Sequence, residues 1–280
     1  MKTITQIRPL RNAVRRLRRQ GRRIGFVPTM GALHEGHLSL VRRARRENDV
    51  VVVSVFVNPL QFGPAEDFDK YPRDIKKDTR LLKGLCDVLF QPGRGFIPKD
   101  LKTSVAVKDV SAPLCGASRP GHFTGVATIV AKLLLAVQPD RLYLGQKDAQ
   151  QAVVLKRMVQ DLNFPVDVLV CPIVREKDGL AMSSRNAYLT PEERRRAVVL
   201  YQALKSAERM AARGVRESAK IIQALQDLVH RVPETHIDYI EIVDPKTLEP
   251  VPMIKGRALL ALALYVGGTR LIDNTFLRAR

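Results

Sequence analysis

Phe26-Val27-Pro28-Thr29-Met30-Gly31-Ala32-Leu33-His34-Glu35-Gly36-His37 reads as the end of a short buried strand, a glycine-bearing turn, and a helix that opens at about Gly36 and runs to Arg46. A helix N-terminus attracts anions through its unpaired N–H groups and its dipole. Two histidines three residues apart at such a turn can face one pocket and add imidazole donors. That combination suits a phosphate that gains negative charge during reaction. Neither a Walker A sequence nor a GxGxxG after the first strand is present, so phosphate handling must come from other groups.

On either side of this stretch, strand and helix signals alternate. Leu10, Val14 and Leu17 mark the apolar stripe of a first helix, which leads into a strand at Ile24–Val27. After the helix to Arg46 comes Val50–Val57, a continuous β-branched run of the kind found in parallel strands covered on both faces. A helix near Arg73–Gly84, a strand at Cys86–Phe90, an apolar helix at Thr124–Gln138, a strand at Leu142–Leu144, a helix from Asp148 to Leu162 and a strand at Val166–Val170 follow. This order predicts an α/β fold, a Rossmann-like doubly wound parallel sheet whose ligands lie beyond the carboxyl ends of the strands. The pattern then changes. Helices at Pro191–Arg213 and Arg216–Arg231 precede strands at His236–Val243, Arg257–Val266 and Thr269–Asp273, as in a smaller C-terminal α+β domain. The expected division is 1–173 and 174–280.

Composition narrows the function classes. Hydrophobic residues make up 45% of the 280, enough for packed cores, and no apolar run reaches the roughly 18 residues of a membrane span. A membrane protein is therefore not expected. Cys86, Cys115 and Cys171 are odd in number and match no metal-ligand spacing, which predicts free thiols in a reducing cytoplasm. The formal charge of +19 attracts anions. Residues 8–23 carry eight arginines and no acid, read here as the solvated face of an integral first helix. Nonspecific nucleic-acid affinity is a consequence of such charge, and no specific nucleic-acid partner is expected.

Four further blocks carry candidate chemistry. In Val55-Phe56-Val57-Asn58-Pro59-Leu60-Gln61-Phe62-Gly63, the neutral amides of Asn58 and Gln61 can bind hydroxyl and carboxylate oxygens without adding charge. Arg119-Pro120-Gly121-His122-Phe123-Thr124-Gly125-Val126 is a glycine-punctuated entry into a helix. Leu144-Gly145-Gln146-Lys147-Asp148-Ala149-Gln150-Gln151 is a strand end and helix start, with Lys147 and Gln151 four apart on one face. Lys177-Asp178-Gly179-Leu180-Ala181-Met182-Ser183-Ser184-Arg185-Asn186 sets two hydroxyls and an arginine behind a turn, a donor cluster for phosphate.

Taken together and in this order, the five blocks resemble the pantoate–β-alanine ligase family, also called pantothenate synthetases. The first and fifth are similar to the two signature sequences of the wider nucleotidyltransferase superfamily. The resemblance implies a reaction with ATP and Mg²⁺ in which pantoate becomes a pantoyl adenylate, which β-alanine converts to pantothenate. It places ATP along Met30, Gly31, Ala32, Leu33, His34, Glu35, Gly36 and His37, along Gly145, Gln146, Lys147 and Asp148, and at Val174, Met182, Ser183, Ser184 and Arg185. It places pantoate at Gln61 and Gln151 and β-alanine near Gln61; Asn58, the neutral amide beside Gln61, is expected to bind pantoate with them. His37 matches the family's catalytic proton donor. His34, Lys147, Ser183, Ser184 and Arg185 then supply further donors around the phosphates, Asp148 orients either Lys147 or the ribose, and Asp78, downstream of Tyr71-Pro72-Arg73, is a metal partner acting from behind the direct ligands. A homodimer is implied, with the C-terminal domain closing over the ATP site. Two rivals fit parts of the pattern. A nucleotidyltransferase acting on a phosphorylated alcohol shares the HxGH turn but calls for basic residues in place of Gln61 and Gln151. An RNA-binding or synthetase-like module fits the charge, but no anticodon-reading region is evident and aromatic stacking platforms are scarce.

Overall fold

The computed structural model describes residues 1–64, 66–93 and 95–278. In chain order the elements are β1 (Lys2–Ile4), α1 (Ile7–Arg19), β2 (Ile24–Thr29), α2 (Glu35–Glu47), β3 (Val50–Val55), α3 (Ile75–Leu82), β4 (Val88–Phe90), α4 (Cys115–Ser118), α5 (His122–Val137), β5 (Arg141–Gly145), α6 (Ala149–Asp161), β6 (Asp167–Cys171), α7 (Pro191–Arg196), α8 (Val199–Ala212), α9 (Ser218–His230), β7 (Thr235–Val243), β8 (Arg257–Val266) and β9 (Thr269–Arg278). The chain divides into two compact units. One holds Met1–Val107, Arg119–Gly145 and Val154–Pro172; the other holds Lys108–Ser118, Gln146–Val153 and Ile173–Arg280.

Among the described residues of the first unit, six parallel strands run in the order β1-β4-β3-β2-β5-β6. The chain builds outward from β2 to β3 and β4, then returns to lay β5 and β6 on the other side of β2. The order reverses beside β2, so the turn that leaves β2 lies at the topological switch point, where such sheets bind ligands. Val51, Val53 and Leu89 are wholly buried with Val41 and Ala44 of α2, which explains the unbroken β-branched run. β3 stops at Val55, two residues short of the expected end, because the chain turns into a 3-10 turn at Pro59–Gln61. β1 has only three residues, too few for a periodic signal, yet it pairs in register with β4.

α1 buries Leu10, Ala13 and Val14 and exposes Arg8, Arg11, Arg15, Arg16 and Arg19 on the opposite side. Its arginines form a solvated face of an integral helix. Binding to duplex DNA is expected to be indifferent to sequence and to weaken steeply between about 50 and 200 mM salt. An anisotropy titration checks this, and a flat salt response contradicts it. Among the described residues no helix is long and apolar enough to cross a membrane.

In the second unit, β7-β8-β9 form an antiparallel sheet. Leu260, Leu262 and Leu264 alternate along β8 onto one face, where Leu200, Ala203, Leu204 and Ala207 of α8 and Ile221, Leu225 and Val229 of α9 cover them. The single helix expected over 191–213 is two. Ala197 and Val198 keep helical φ but flatten to ψ −21° and −19°, a tightened turn that separates α7 from α8.

Candidate active site

In the first unit the site is built on the turn between β2 and α2. Gly31 and Ala32 take φ of +86° and +49°. A side chain at Gly31 would stand 2.9 Å from Asp78 Oδ2, so the position needs glycine for space as well as for φ. Ala32 tolerates the left-handed region because Asp78 holds the turn. Asp78 Oδ2 accepts the Ala32 N–H at 3.0 Å and Oδ1 accepts the Leu33 N–H at 2.8 Å. Asp78 is 1% exposed. Its carboxylate thus serves the turn. Burial pushes its carboxyl above the ordinary range, although the Leu33 and Ala32 amides pull it down. Folding therefore favours the protonated form, and Asp78 stabilises the protein most below the ordinary carboxylate pKa, losing that share as pH rises through its folded value. The stability difference between wild type and Asp78→Asn, from urea unfolding at stepped pH, is expected to shrink as pH rises. A difference that grows contradicts this.

His34 caps α2. Its Nδ1 accepts the Gly36 N–H at 3.2 Å, and His37 Nδ1 accepts the His34 N–H at 3.4 Å, a reciprocal capping box made of imidazoles. The rings lie 4.0 Å apart. Because each Nδ1 accepts, each neutral ring carries its proton on Nε2. Both histidines are thereby set as Nε2–H donors at a helix N-terminus. Glu35 and Gly36 form the first turn behind them.

Beyond β3, Asn58 is buried and caps the 3-10 turn by accepting the Leu60 N–H at 3.0 Å. Its Nδ2 donates to Gln61 Oε1 at 3.0 Å and to Gly125 O at 3.1 Å. Gln61 Nε2 stands 3.0 Å from Met30 Sδ, so the neutral amide sits beside the turn that leads to the two histidines. His122 Nδ1 donates to Gln61 O at 2.8 Å, Arg119 Nη2 donates to the same oxygen at 3.2 Å, and Glu66 grips Arg119 with both carboxylate oxygens at 2.7 and 2.6 Å. Burial pushes the Glu66 carboxyl up, but its bonds with Arg119 outweigh this and leave it below the ordinary value. Sequence reading finds in Arg119–Val126 only a capped helix start. The glutamate 53 residues earlier is the missing half of the pattern, and no local periodicity reveals it. Gly145 ends β5, the strand that neighbours β2 on the side away from β3, and pairs with Cys171.

The second unit holds other residues of the candidate blocks. Gln146–Asp148 is a 3-10 turn, and α6 begins at Ala149, so Lys147 and Gln151 straddle the junction of two helix types. Asp148 Oδ1 accepts from Lys147 Nζ at 3.2 Å. Asn274 of β9 binds the backbone of this turn, donating through Nδ2 to Gln146 O at 2.9 Å and Lys147 O at 3.0 Å. The fifth block begins as a tight hairpin in which the Met182 N–H donates to Val174 O at 3.0 Å. Ser183 Oγ accepts the Arg185 N–H at 3.3 Å and opens a 3-10 turn, Ser184–Tyr188, so Ser183, Ser184 and Arg185 share one turn.

The pantoate-beta-alanine ligase sequence profile matches residues 2–276. The chain belongs to the pantoate–β-alanine ligase family. As a member it is an enzyme, a ligase of pantothenate biosynthesis. It is 56% identical to the pantothenate synthetase of Thermotoga neapolitana over 279 residues, 99% of this chain and 100% of the relative. The crystal structure of the Thermus thermophilus pantothenate synthetase superposes with a TM-score of 0.93 at 50% identity, covering 98% of this chain and 99% of that one. The Francisella tularensis ligase, solved in complex with a β,γ-ATP compound and β-alanine, gives a TM-score of 0.81 at 36% identity over 98% of this chain and 97% of that one. These ligases share the parallel sheet and the small C-terminal domain.

Proposed function

We infer that the protein joins pantoate to β-alanine with consumption of ATP through a pantoyl adenylate. A pantoate carboxylate oxygen attacks the α-phosphorus and pyrophosphate leaves. The β-alanine amine then attacks the acyl carbon, loses a proton and displaces AMP, giving pantothenate. The observation that carries this reading is the placement of Gln61 against Met30, which sets an uncharged carboxylate binder beside an anion-binding turn within one unit. Neutral Gln61, with Asn58 behind it, orients the pantoate carboxylate and leaves it nucleophilic; Gln151 is assigned to the same acid and Gln61 also to β-alanine. His34 and His37 donate Nε2–H groups to the phosphates. Lys147, Ser183, Ser184 and Arg185 add donors to the same nucleotide, whose remaining contacts are given to the backbone of Met30–His37 and Gly145–Asp148 and to Val174 and Met182. Positioning and charge stabilisation are what such a displacement asks of a protein. The ATP compound and β-alanine bound by the Francisella relative support the nucleotide and the amine.

His37 is read as a hydrogen-bond donor and not as a source of a transferred proton. Protonating Nδ1 to make an imidazolium breaks its bond with the His34 N–H. Magnesium enters with the triphosphate, as part of the substrate. In this reading Asp78 serves the turn, giving one oxygen to each of its two amides, and among the described residues no three His, Cys, Asp or Glu side chains are grouped to hold a metal ion. A cytoplasmic homodimer completes the reading.

Exchange of labelled pyrophosphate into ATP tests it: exchange is expected only when pantoate is present, and exchange driven by a phosphorylated alcohol instead would favour the rival transferase. A charged partner at position 61 should stabilise the bound acid more than the transition state. Gln61→Arg is therefore expected to keep or tighten pantoate binding and to lower kcat. Unchanged kcat in that variant removes the argument.

A further inference from the structure

Two adjacent polar residues of β9 are almost wholly buried, Asp273 at 2% and Asn274 at 3% exposure, in a strand that also buries Leu271 and Leu277. Neither belongs to any block that sequence reading selects. Asn274 donates to the carbonyls of Gln146 and Lys147 and accepts from Gln146 Nε2 at 3.3 Å. One side chain thus binds the backbone on both sides of the peptide that carries the Lys147 ammonium. Asp273 faces a different segment. Its two oxygens take Arg175 Nη1 and Nη2 at 2.6 and 3.1 Å, and Arg175 Nη1 also donates to Gly179 O at 3.0 Å. Arg175 lies in the hairpin that delivers Met182–Arg185, paired with Ala181 across it. Its guanidinium stacks 4.8 Å from the Tyr201 ring. Finally, Asp273 Oδ1 accepts the Asn274 N–H at 2.8 Å, which joins the two arms.

A solvated loop does not need this. A buried carboxylate and a buried amide are costly unless satisfied, and here the side-chain bonds that leave the dipeptide go to the two segments assigned to the nucleotide. They are 128 and 98 residues away in sequence. We propose that Asp273 and Asn274 are positioning residues for adenylate formation, a dipeptide clamp that fixes the Lys147 turn and the Ser183–Arg185 turn in one arrangement. The clamp acts through Lys147 and Arg175 and touches no substrate. It rests on the ATP reading above.

The test is steady-state kinetics of wild type, Asn274→Ala, the isosteric Asn274→Asp and Asp273→Asn, with thermal melting alongside. Asn274→Ala is expected to raise KM for ATP about tenfold and lower kcat, with KM for β-alanine changed less than twofold. Asn274→Asp should do at least as much harm, because it turns an anionic oxygen toward two carbonyls while keeping the shape. A merely structural role lowers the melting temperature and the fraction of active enzyme and leaves KM for ATP within twofold, and that result overturns the clamp. If Asn274→Ala does not fold, the two isosteric variants decide on the same criterion. Interacting residues are non-additive, so the loss in Lys147→Ala combined with Asn274→Asp should be smaller than the product of the two single losses; a fully multiplicative loss overturns the link to Lys147. Wild type without pantoate-dependent exchange removes the ATP reading and the clamp with it. Wild type with exchange and variants with unchanged KM for ATP removes the clamp alone.

Discussion

Replacing His37 by alanine is expected to slow adenylate formation by about 10²–10³-fold, the loss of one transition-state donor. That corresponds to roughly 3–4 kcal/mol. In the proposed reading a donor and not an acid is lost. His37 Nδ1 is committed to the His34 N–H, so the ring serves through Nε2–H. A glutamine at the same position places an amide N–H near the Nε2 site and cannot titrate. His37→Gln should therefore recover at least about tenfold over His37→Ala, one lost donor being worth more than that. If His37 instead transfers a proton, glutamine is as poor as alanine. Pantoate-dependent pyrophosphate exchange measures both variants. A defect confined to KM contradicts a transition-state role.

Gly125→Ala should be the most damaging small substitution in the first unit. In an exposed helix the change gains up to about 1 kcal/mol. Here the sign reverses. The new Cβ would stand 2.0 Å from Leu60 O, 2.3 Å from Leu60 C and 2.7 Å from Gln61 N, all backbone atoms that no side-chain rotation can clear. Either α5 or the 3-10 turn must move, and the Asn58–Gly125 bond at 3.1 Å goes with it. Overpacking of this kind costs roughly 1–3 kcal/mol or more. The displacement falls on Gln61, and a shift near 1 Å at a positioning group costs on the order of 10²-fold in rate. Reduced denaturant stability together with a fall of that size in kcat/KM for pantoate is expected. A stable variant with ordinary pantoate kinetics removes the claim that Gly125 sets the seat of Gln61.

Much of the first unit is legible in the sequence because its signals are local. The β-branched run of β3, the apolar stripe of α1 and the strand–turn–helix at Thr29–Glu35 each depend on neighbours within a few residues. The same locality explains why the HxGH turn reads as an anion site, and why the Ser183–Arg185 strip reads as a donor cluster. What escapes depends on partners far apart in sequence. Asp78 holds the Ala32 and Leu33 amides from 46 and 45 residues away. Glu66 grips Arg119, and Asn274 reaches back to Lys147. Segments Lys108–Ser118 and Gln146–Val153 belong with the C-terminal residues, a grouping that a reading along the chain cannot supply. The 3-10 turns at Pro59–Gln61 and Gln146–Asp148 escape because three residues carry no period.

Isotope transfer tests attack of the acid on the α-phosphorus most directly. Pantoate labelled with ¹⁸O in its carboxylate is turned over with ATP and β-alanine, and the nucleotide product is weighed by mass spectrometry. AMP carrying one ¹⁸O, formed together with pantothenate, is the predicted result. Unlabelled AMP, or label in inorganic phosphate with ADP as the nucleotide product, contradicts the account.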